Sequence, residues 1–297
     1  MNIINATIHK LKELKQPVIS EYDICMITFN FYQTGKYQGE KLEISTKMPS
    51  FKDINNEVIK PIIDIGILDK LKEFSGVNVF RIVVNQFFEA GDIICSIDPF
   101  SYISHLSAME YHGLTNRIPK ILFISTPPIK EWTRFANDKM ENDCEGYLKD
   151  YLKCGLPKLS KIKYEKILKK QVIQYSSLHR GAFKHINERS LRVATIGRTF
   201  LDMLRKPNYC GGMNHVIEIY REFGKNYNKL IIDEIDRNGK SIEKARAGYI
   251  LEEYCNINDE KINTWAANVQ RGGSRKLDPE SPYHEEYSEK WCISINV

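Results

Sequence analysis

LRVATIGRTFLDMLRKPNYCGGMNHVIEIYREF, Leu191–Phe223, holds the transitions on which the fold class turns. Leu191–Ala194 reads as a short strand. Thr195 is placed to cap a helix that carries Arg198, Phe200, Leu201 and Leu204. Pro207 and the pair Gly211-Gly212 separate this helix from the next, where Met213, Ile217 and Tyr220 recur at helical spacing. The glycine pair follows a proline turn rather than a strand, so it reads as a helix boundary and not as a phosphate loop. A strand thus leads into two successive helices. Strands and helices mix along the chain without strict βαβ alternation, which predicts an α+β fold.

Towards the N-terminus, Ile4, Ile8 and Leu11 predict a helix over residues 2–14, stopped by Pro17. Ser20 caps a second helix with Ile24, Ile27 and Phe31 on one face, ended by Gly35 and Gly39. Ser50 caps a third, with Ile54, Val58 and Ile62 inward, and Pro61 is expected to kink or end it. ILDKLKE reads as a short strand or helix end, Ser75-Gly76 as a turn, and Val77–Val84 as a strand. Three helices and a hairpin are the element order of a winged helix, in which one helix enters the major groove and the hairpin reaches adjacent backbone. The candidate groove helix carries Lys52, Asn55, Asn56 and Lys60, with Lys72 and Arg81 on the hairpin. Asn can pair with adenine edges and Lys can neutralise phosphate. Against this, Asp53 and Glu57 on the same helix repel phosphate, and such modules also serve as protein-interaction domains.

Between these regions, Asp98-Pro99 reads as an N-cap and first turn, opening a helix that buries Ile103, Leu106 and Met109 and ends at Gly113. Ile121–Ser125 is a buried strand ended by Pro127-Pro128, and residues 129–155 read as a long polar loop with some helix. Lys158, Lys161, Lys163 and Lys166, with Lys169 and Lys170 beyond, form a basic run before the strand QVIQYS. A solvated face is the plain reading of such a run, and a contact surface for nucleic acid or an acidic partner the sharper one. Towards the C-terminus, Ser241 caps a helix with Ile242, Ala245, Tyr249 and Ile250 inward, and Trp291–Val297 alternates as a closing strand.

The 297 residues suggest two domains, and 42% hydrophobic content is ample for a core. No apolar run nears the roughly 20 residues of a membrane span. The N-terminus lacks the features of a secretory signal, so a cytoplasmic location is expected. Seven scattered cysteines without a CxxC predict reduced, buried thiols. Residues 1–95 hold 11 Lys and Arg against 12 Asp and Glu, and the remainder 32 against 26. The positive excess therefore lies outside the candidate DNA-binding module.

No GxxxxGK[ST], GxGxxG or HExxH occurs. His105 and His112, two of seven histidines, make a poor metal site without a third ligand. Arg198 and Asp202 have the spacing of an ordinary helical ion pair, and Arg246 and Glu253 are similarly ambiguous. With no nucleophile–base–orienter set, the expectation is a protein that is not an enzyme and uses no cofactor or metal.

Three segments in order resemble the AbiEi family of type IV antitoxins. Tyr102–Thr115 with Ile118–Pro127 resembles the start of its antitoxin domain, through His112 and Gly113. Arg192–Phe223 resembles its Arg-Thr-Leu-Leu-Asp helix, proline and glycine pair, through Arg198, Thr199, Asp202, Gly211 and Gly212. Ala245–Tyr254 resembles its Arg-x-Gly-Tyr-x-Leu-Glu helix, through Arg246, Tyr249 and Glu252. KLDPESPY…KWCISIN is similar to its closing strand. Gly197 departs from the pattern, where a residue such as glutamate is expected. Glycine costs about 1 kcal/mol in a helix, so a later helix start is predicted. The resemblance covers residues 96–297 and implies an antitoxin domain there, after a winged-helix domain over 1–95. It further implies a nucleotidyltransferase-like toxin countered without a stable complex, and repression of the operon through inverted repeats in operator DNA. A solitary regulator without a toxin, and a nuclease, are the alternatives.

Overall fold

The computed structural model describes all residues except 46, 75, 86–87, 179–181, 271 and 273–274. Ser75 of the expected turn and His179 therefore lie outside the described residues. The fold is α+β.

Helix α1 (Ile3–Glu13) leads to strand β1 (Val18–Ser20) and helix α2 (Glu21–Thr34). Ser20 caps α2 in a reciprocal box with Asp23, and Gly35 ends it at φ 63°, a conformation that favours glycine. A two-residue hairpin, β2 (Lys36–Tyr37) and β3 (Glu40–Lys41), follows. Helix α3 (Phe51–Ile54) then runs through a wide π turn (Asn55–Ile59) into α4 (Lys60–Asp64). Of the two outcomes expected at Pro61, a kink or an end, the helix does not end there. Proline lacks an N–H and its ring crowds the carbonyl one turn back. The wider turn, in which the Lys60 N–H reaches the Asn55 carbonyl, lets the helix continue.

Strands β4 (Leu68–Leu71) and β5 (Val79–Ile82) form an antiparallel hairpin. β1 pairs with the other side of β5, giving a three-stranded sheet of order β1-β5-β4. The central strand is shorter than expected, and all of it but Arg81 is buried. Phe80 and Ile82 join the helical core with Leu11, Ile24, Phe29 and Val58, while Val79 faces the next layer.

Helix α5 (Ala90–Ile97) precedes β6 (Tyr102–Ile103), and α6 (His105–Tyr111) follows. The expected single helix from Asp98 is therefore corrected: Asp98 ends α5, and the segment after Pro99 enters a sheet before turning helical. Strand β7 (Ile121–Thr126) leads to α7 (Ile129–Asp143) and α8 (Leu148–Lys153). The long loop expected over 129–155 is thus mostly helix. Strands β8 (Lys166–Ile167), β9 (Lys170–Ser176), β10 (Phe183–His185) and β11 (Arg192–Ala194) complete a six-stranded mixed sheet, β10-β11-β6-β7-β9-β8.

One face of this sheet, with Ile103, Leu122, Ile124, Val172 and Val193, packs with Ile93, Ile94 and Ile97 of α5 and with Val79 of β5. Behind the sheet come α9 (Ile196–Arg205), a 3-10 turn (Pro207–Cys210), α10 (Met213–Phe223), α11 (Asn228–Asn238) and α12 (Ser241–Tyr249). α12 passes through a second π turn (Ile250–Tyr254), and α13 (Glu260–Ala267) and the pair β12 (Tyr287–Ser288) and β13 (Ile293–Ser294) close the chain. These helices share a core of Phe200, Leu204, Val216, Tyr220, Ile250 and Trp291.

Helix α7 ties the layers together. Met140 and Cys144 pack in the core of α1, α2 and α4, and Tyr22 of α2 donates to Asp143 at 2.7 Å. At its other end, Trp132 donates to Asp98 at 2.9 Å.

Two glycines explain themselves here. A Cβ on Gly197 would lie 2.3 Å from the Leu230 carbonyl, so glycine lets α9 and α11 approach closely. The helix begins at Ile196, not later as expected. A Cβ on Gly248 would meet the Trp291 ring at 2.0 Å.

Candidate nucleic-acid interface and the buried arginine network

Lys52, Asn56 and Lys60 are exposed and four residues apart along α3–α4, while Asn55 is half-buried. Lys60 donates to the Asn56 side chain at 2.9 Å. Asp53, which as a carboxylate opposes phosphate, is turned to the helix start. It accepts from the Ser50 backbone at 2.9 Å and the Ser50 hydroxyl at 2.7 Å. Those bonds hold its carboxyl below the usual range. Glu57 remains exposed on the helix.

On the hairpin, Lys70 and Lys72 are exposed, but Arg81 pairs with Asp69 across the strands at 2.8 Å. Exposed pairs of this kind contribute at most about 1 kcal/mol, so the guanidinium can exchange partners at little cost. Among the described residues, no hydrogen bond or ion pair joins the helix set to the hairpin set.

Of the residues quoted from the second half of the chain, Arg198, Thr199, Asp202 and Arg246 are buried, His112, Gly212, Tyr249 and Glu252 half-buried, and Gly113 and Gly211 exposed. Arg198 and Asp202 are wholly buried. Arg198 donates from Nε to Asp202 at 3.1 Å, from Nη1 to Glu234 at 3.2 Å and from Nη2 to Ser177 at 2.9 Å. Arg205 continues the chain to Glu243 at 3.1 Å and lies 3.6 Å from Asp202. Burial opposes the charge on Arg198, but Asp202, Tyr102 and Glu234 outweigh it and the guanidinium stays protonated. Burial pushes the Asp202 carboxyl up, against the pull of Arg198 and Arg205. Thr199 bonds back to the Thr195 carbonyl.

Arg246 donates to the Leu204 and Lys276 carbonyls at 3.0 and 2.9 Å, and burial pushes its pKa down to about 10. Glu252 accepts from the Trp291 indole at 2.9 Å, and Tyr249 meets Tyr254 edge-on. His112 Nε2 donates to the Ala194 carbonyl at 2.7 Å, and burial lowers its pKa. Gly113, Gly211 and Gly212 all have positive φ. These are the connections that hold sheet, helices and closing strands together.

The lysine run divides. Lys158, Lys163 and Lys166 are exposed, and Lys166 lies on β8, the edge of the six-stranded sheet, where lysine also discourages pairing with another strand. Lys161 instead points inward and donates to the Thr126 hydroxyl at 3.1 Å and the Pro127 carbonyl at 3.3 Å.

His105 and His112 do not share a site. His105 is buried, bonds Ser104 at 2.8 Å and meets Tyr175 and Tyr209 edge-on. Among the described residues no three His, Cys, Asp or Glu side chains gather to hold a metal, and all seven cysteines are free. No helix among them is long and apolar enough to cross a membrane.

Sequence reasoning took Asp98 only for a helix cap and missed the cluster of bonds it gathers. Buried beside α7, it accepts from Ser101, Thr126, Trp132 and the Phe100 backbone. Trp132, Phe135, Ala136 and Met140 at helical spacing were the available signal for α7.

No family model, no curated protein and no solved structure matches this chain.

Proposed function

We propose that this protein is a non-enzymatic DNA-binding regulator, with a winged helix in residues 1–95, that acts as the antitoxin of a type IV toxin–antitoxin pair. The observation that supports DNA binding most is the exposed Lys52–Asn56–Lys60 row on a helix that leads directly into an antiparallel hairpin. In winged helices, that helix supplies base and phosphate contacts and the hairpin adds backbone contacts. The π turn supports the reading, since such turns gather at functional sites and this one carries Asn55 and Asn56. The first 95 residues carry no positive excess, so Lys158, Lys163 and Lys166 are assigned a share of phosphate contact.

The antitoxin half rests on the resemblance of Tyr102–Pro127, Arg192–Phe223 and Ala245–Tyr254 to AbiEi antitoxins. The charged residues at the centre of that resemblance, Arg198, Asp202 and Arg246, are interior. They maintain the domain rather than touch a partner, which suits an antitoxin that counters its toxin without a stable complex. The test is co-expression with a nucleotidyltransferase-like protein encoded beside it. Restored growth is expected, and continued growth arrest with soluble antitoxin present sinks the antitoxin reading. A mobility shift on DNA upstream of its own gene tests the regulator reading separately.

A further inference from the structure

A cavity of about 490 Å³ opens where β7 and β9 end, between Tyr102, Ser177, Phe183, Lys139, His185 and Arg192. β7 and β9 run parallel, and the carboxyl ends of parallel strands are where α/β sheets collect ligands. Its size is that of a cofactor or nucleotide pocket.

The lining has two kinds of surface. Lys139, His185 and Arg192 bring cationic or protonatable groups from α7, β10 and β11. Lys161 stands behind the wall, half-buried, and donates to Thr126 and Pro127, which themselves line the cavity. It forms no ion pair among those described, and burial lowers its pKa. Aromatic faces provide the rest. Tyr102 and Phe183 stack at 5.3 Å, and Phe100 lies beside them.

No Asp or Glu is among the lining residues described. The carboxylates around it are engaged elsewhere: Asp98 by its four donors, Asp143 by Tyr22 and Lys139, and Asp202, whose charge reaches Tyr102, by Arg198. Tyr102 is buried, with the Ser125 and Ser177 hydroxyls beside its own.

We propose that this cavity binds a small anion bearing an aromatic ring, of the class of nucleoside monophosphates. The phosphate would lie towards Lys139, His185 and Arg192, and the base against the Tyr102–Phe183 pair. Arg192 is not free to move. Its Nε and Nη2 already donate to the carbonyls of Ser101, Cys95 and Asp98, which fixes the guanidinium in place. A charge held in this way is preorganised for an anion. The proposal does not depend on DNA binding or on a toxin.

Titration calorimetry on the full chain tests it, with AMP, GMP, CMP and UMP, inorganic phosphate alone, and the nucleosides alone. At least one mononucleotide is expected to give a 1:1 isotherm with Kd below about 1 mM. The matching nucleoside and free phosphate are each expected to bind at least tenfold more weakly. Lys139→Ala removes the pair with Asp143 and a cation near Asp23, so binding is compared at a temperature where wild type and variant are both folded, and it should weaken about tenfold. Phe183→Ala should weaken the nucleotide but not phosphate. Absence of saturable binding by every mononucleotide overturns the proposal. So does equal affinity for phosphate and nucleotide, or unchanged affinity in both variants.

Discussion

Lys52 and Lys60 on the α3–α4 helix carry the same charge as Arg198 and Arg205 on α9, and little else about them is alike. The lysines stand in water, and Lys60 touches only the Asn56 side chain of its own helix among the described bonds. The arginines are buried between the six-stranded sheet and the helices behind it, each held by carboxylates. A charge in water is cheap to remove and free to meet phosphate. A buried one cannot be removed without stranding its partners. The two halves thus teach that a quoted motif residue and a candidate contact residue answer to different experiments.

Arg198→Met should show the largest effect. It leaves Asp202 and Glu234 without their main cation, and a loss of about 3–5 kcal/mol is expected in denaturant unfolding. A double variant, Arg198→Met with Asp202→Leu, should recover part of it. A loss below about 1 kcal/mol would break the contrast, because Arg198 would then behave as a surface residue.

Gly248→Ala comes next. The added methyl has no space beside Trp291, and overpacking of this kind costs about 1–3 kcal/mol. An unchanged thermal midpoint would mean that the Trp291 ring moves aside freely.

His105 sharpens the comparison through pH. Burial, with Arg198, Arg205 and Lys206 nearby, pushes its pKa down to about 3 from an ordinary 6.5. The unfolded chain therefore binds this proton more readily. Its contribution is fully present above pH about 6.5 and is lost as pH falls towards 3, by up to about 1.4 kcal/mol per unit. His105→Asn, chosen because Asn tolerates the left-handed backbone at φ 49°, should flatten that slope between pH 6.5 and 5. An identical slope in wild type and variant would remove His105 from the account.

Legibility in the sequence follows the range of the interaction. Ser20 and Ser50 were readable as caps because a capping box needs only four residues, and both have Asp at the third helical position. The strand Ile121–Thr126 was readable because it is continuously apolar. Helix α7 was obscured because Lys130, Glu131, Arg134, Asp138 and Lys139 surround its four buried residues. Asp98-Pro99 misled because the strand that follows has two residues, too few to show a period. Pro61 marked an irregularity but not its form, a π turn that absorbs the clash a proline brings and lets the helix continue. The reasons for Gly197 and Gly248 lie in Leu230 and Trp291, far along the chain, and no local pattern encodes them. The candidate contact residues were legible as residue types. Which of them face water, as Lys60 does, and which are committed, as Arg81 and Lys161 are, required the fold.

The most direct test of the account is fluorescence anisotropy on DNA upstream of the protein's own gene, across a salt series, for wild type and Lys52→Ala/Asn56→Ala/Lys60→Ala. The account predicts that the triple variant unfolds within about 0.5 kcal/mol of wild type, since its side chains are exposed. It predicts weaker binding and a salt slope shallower by about 2, one for each lysine lost. Affinity and salt slope equal to wild type, in a protein of equal stability, would contradict it.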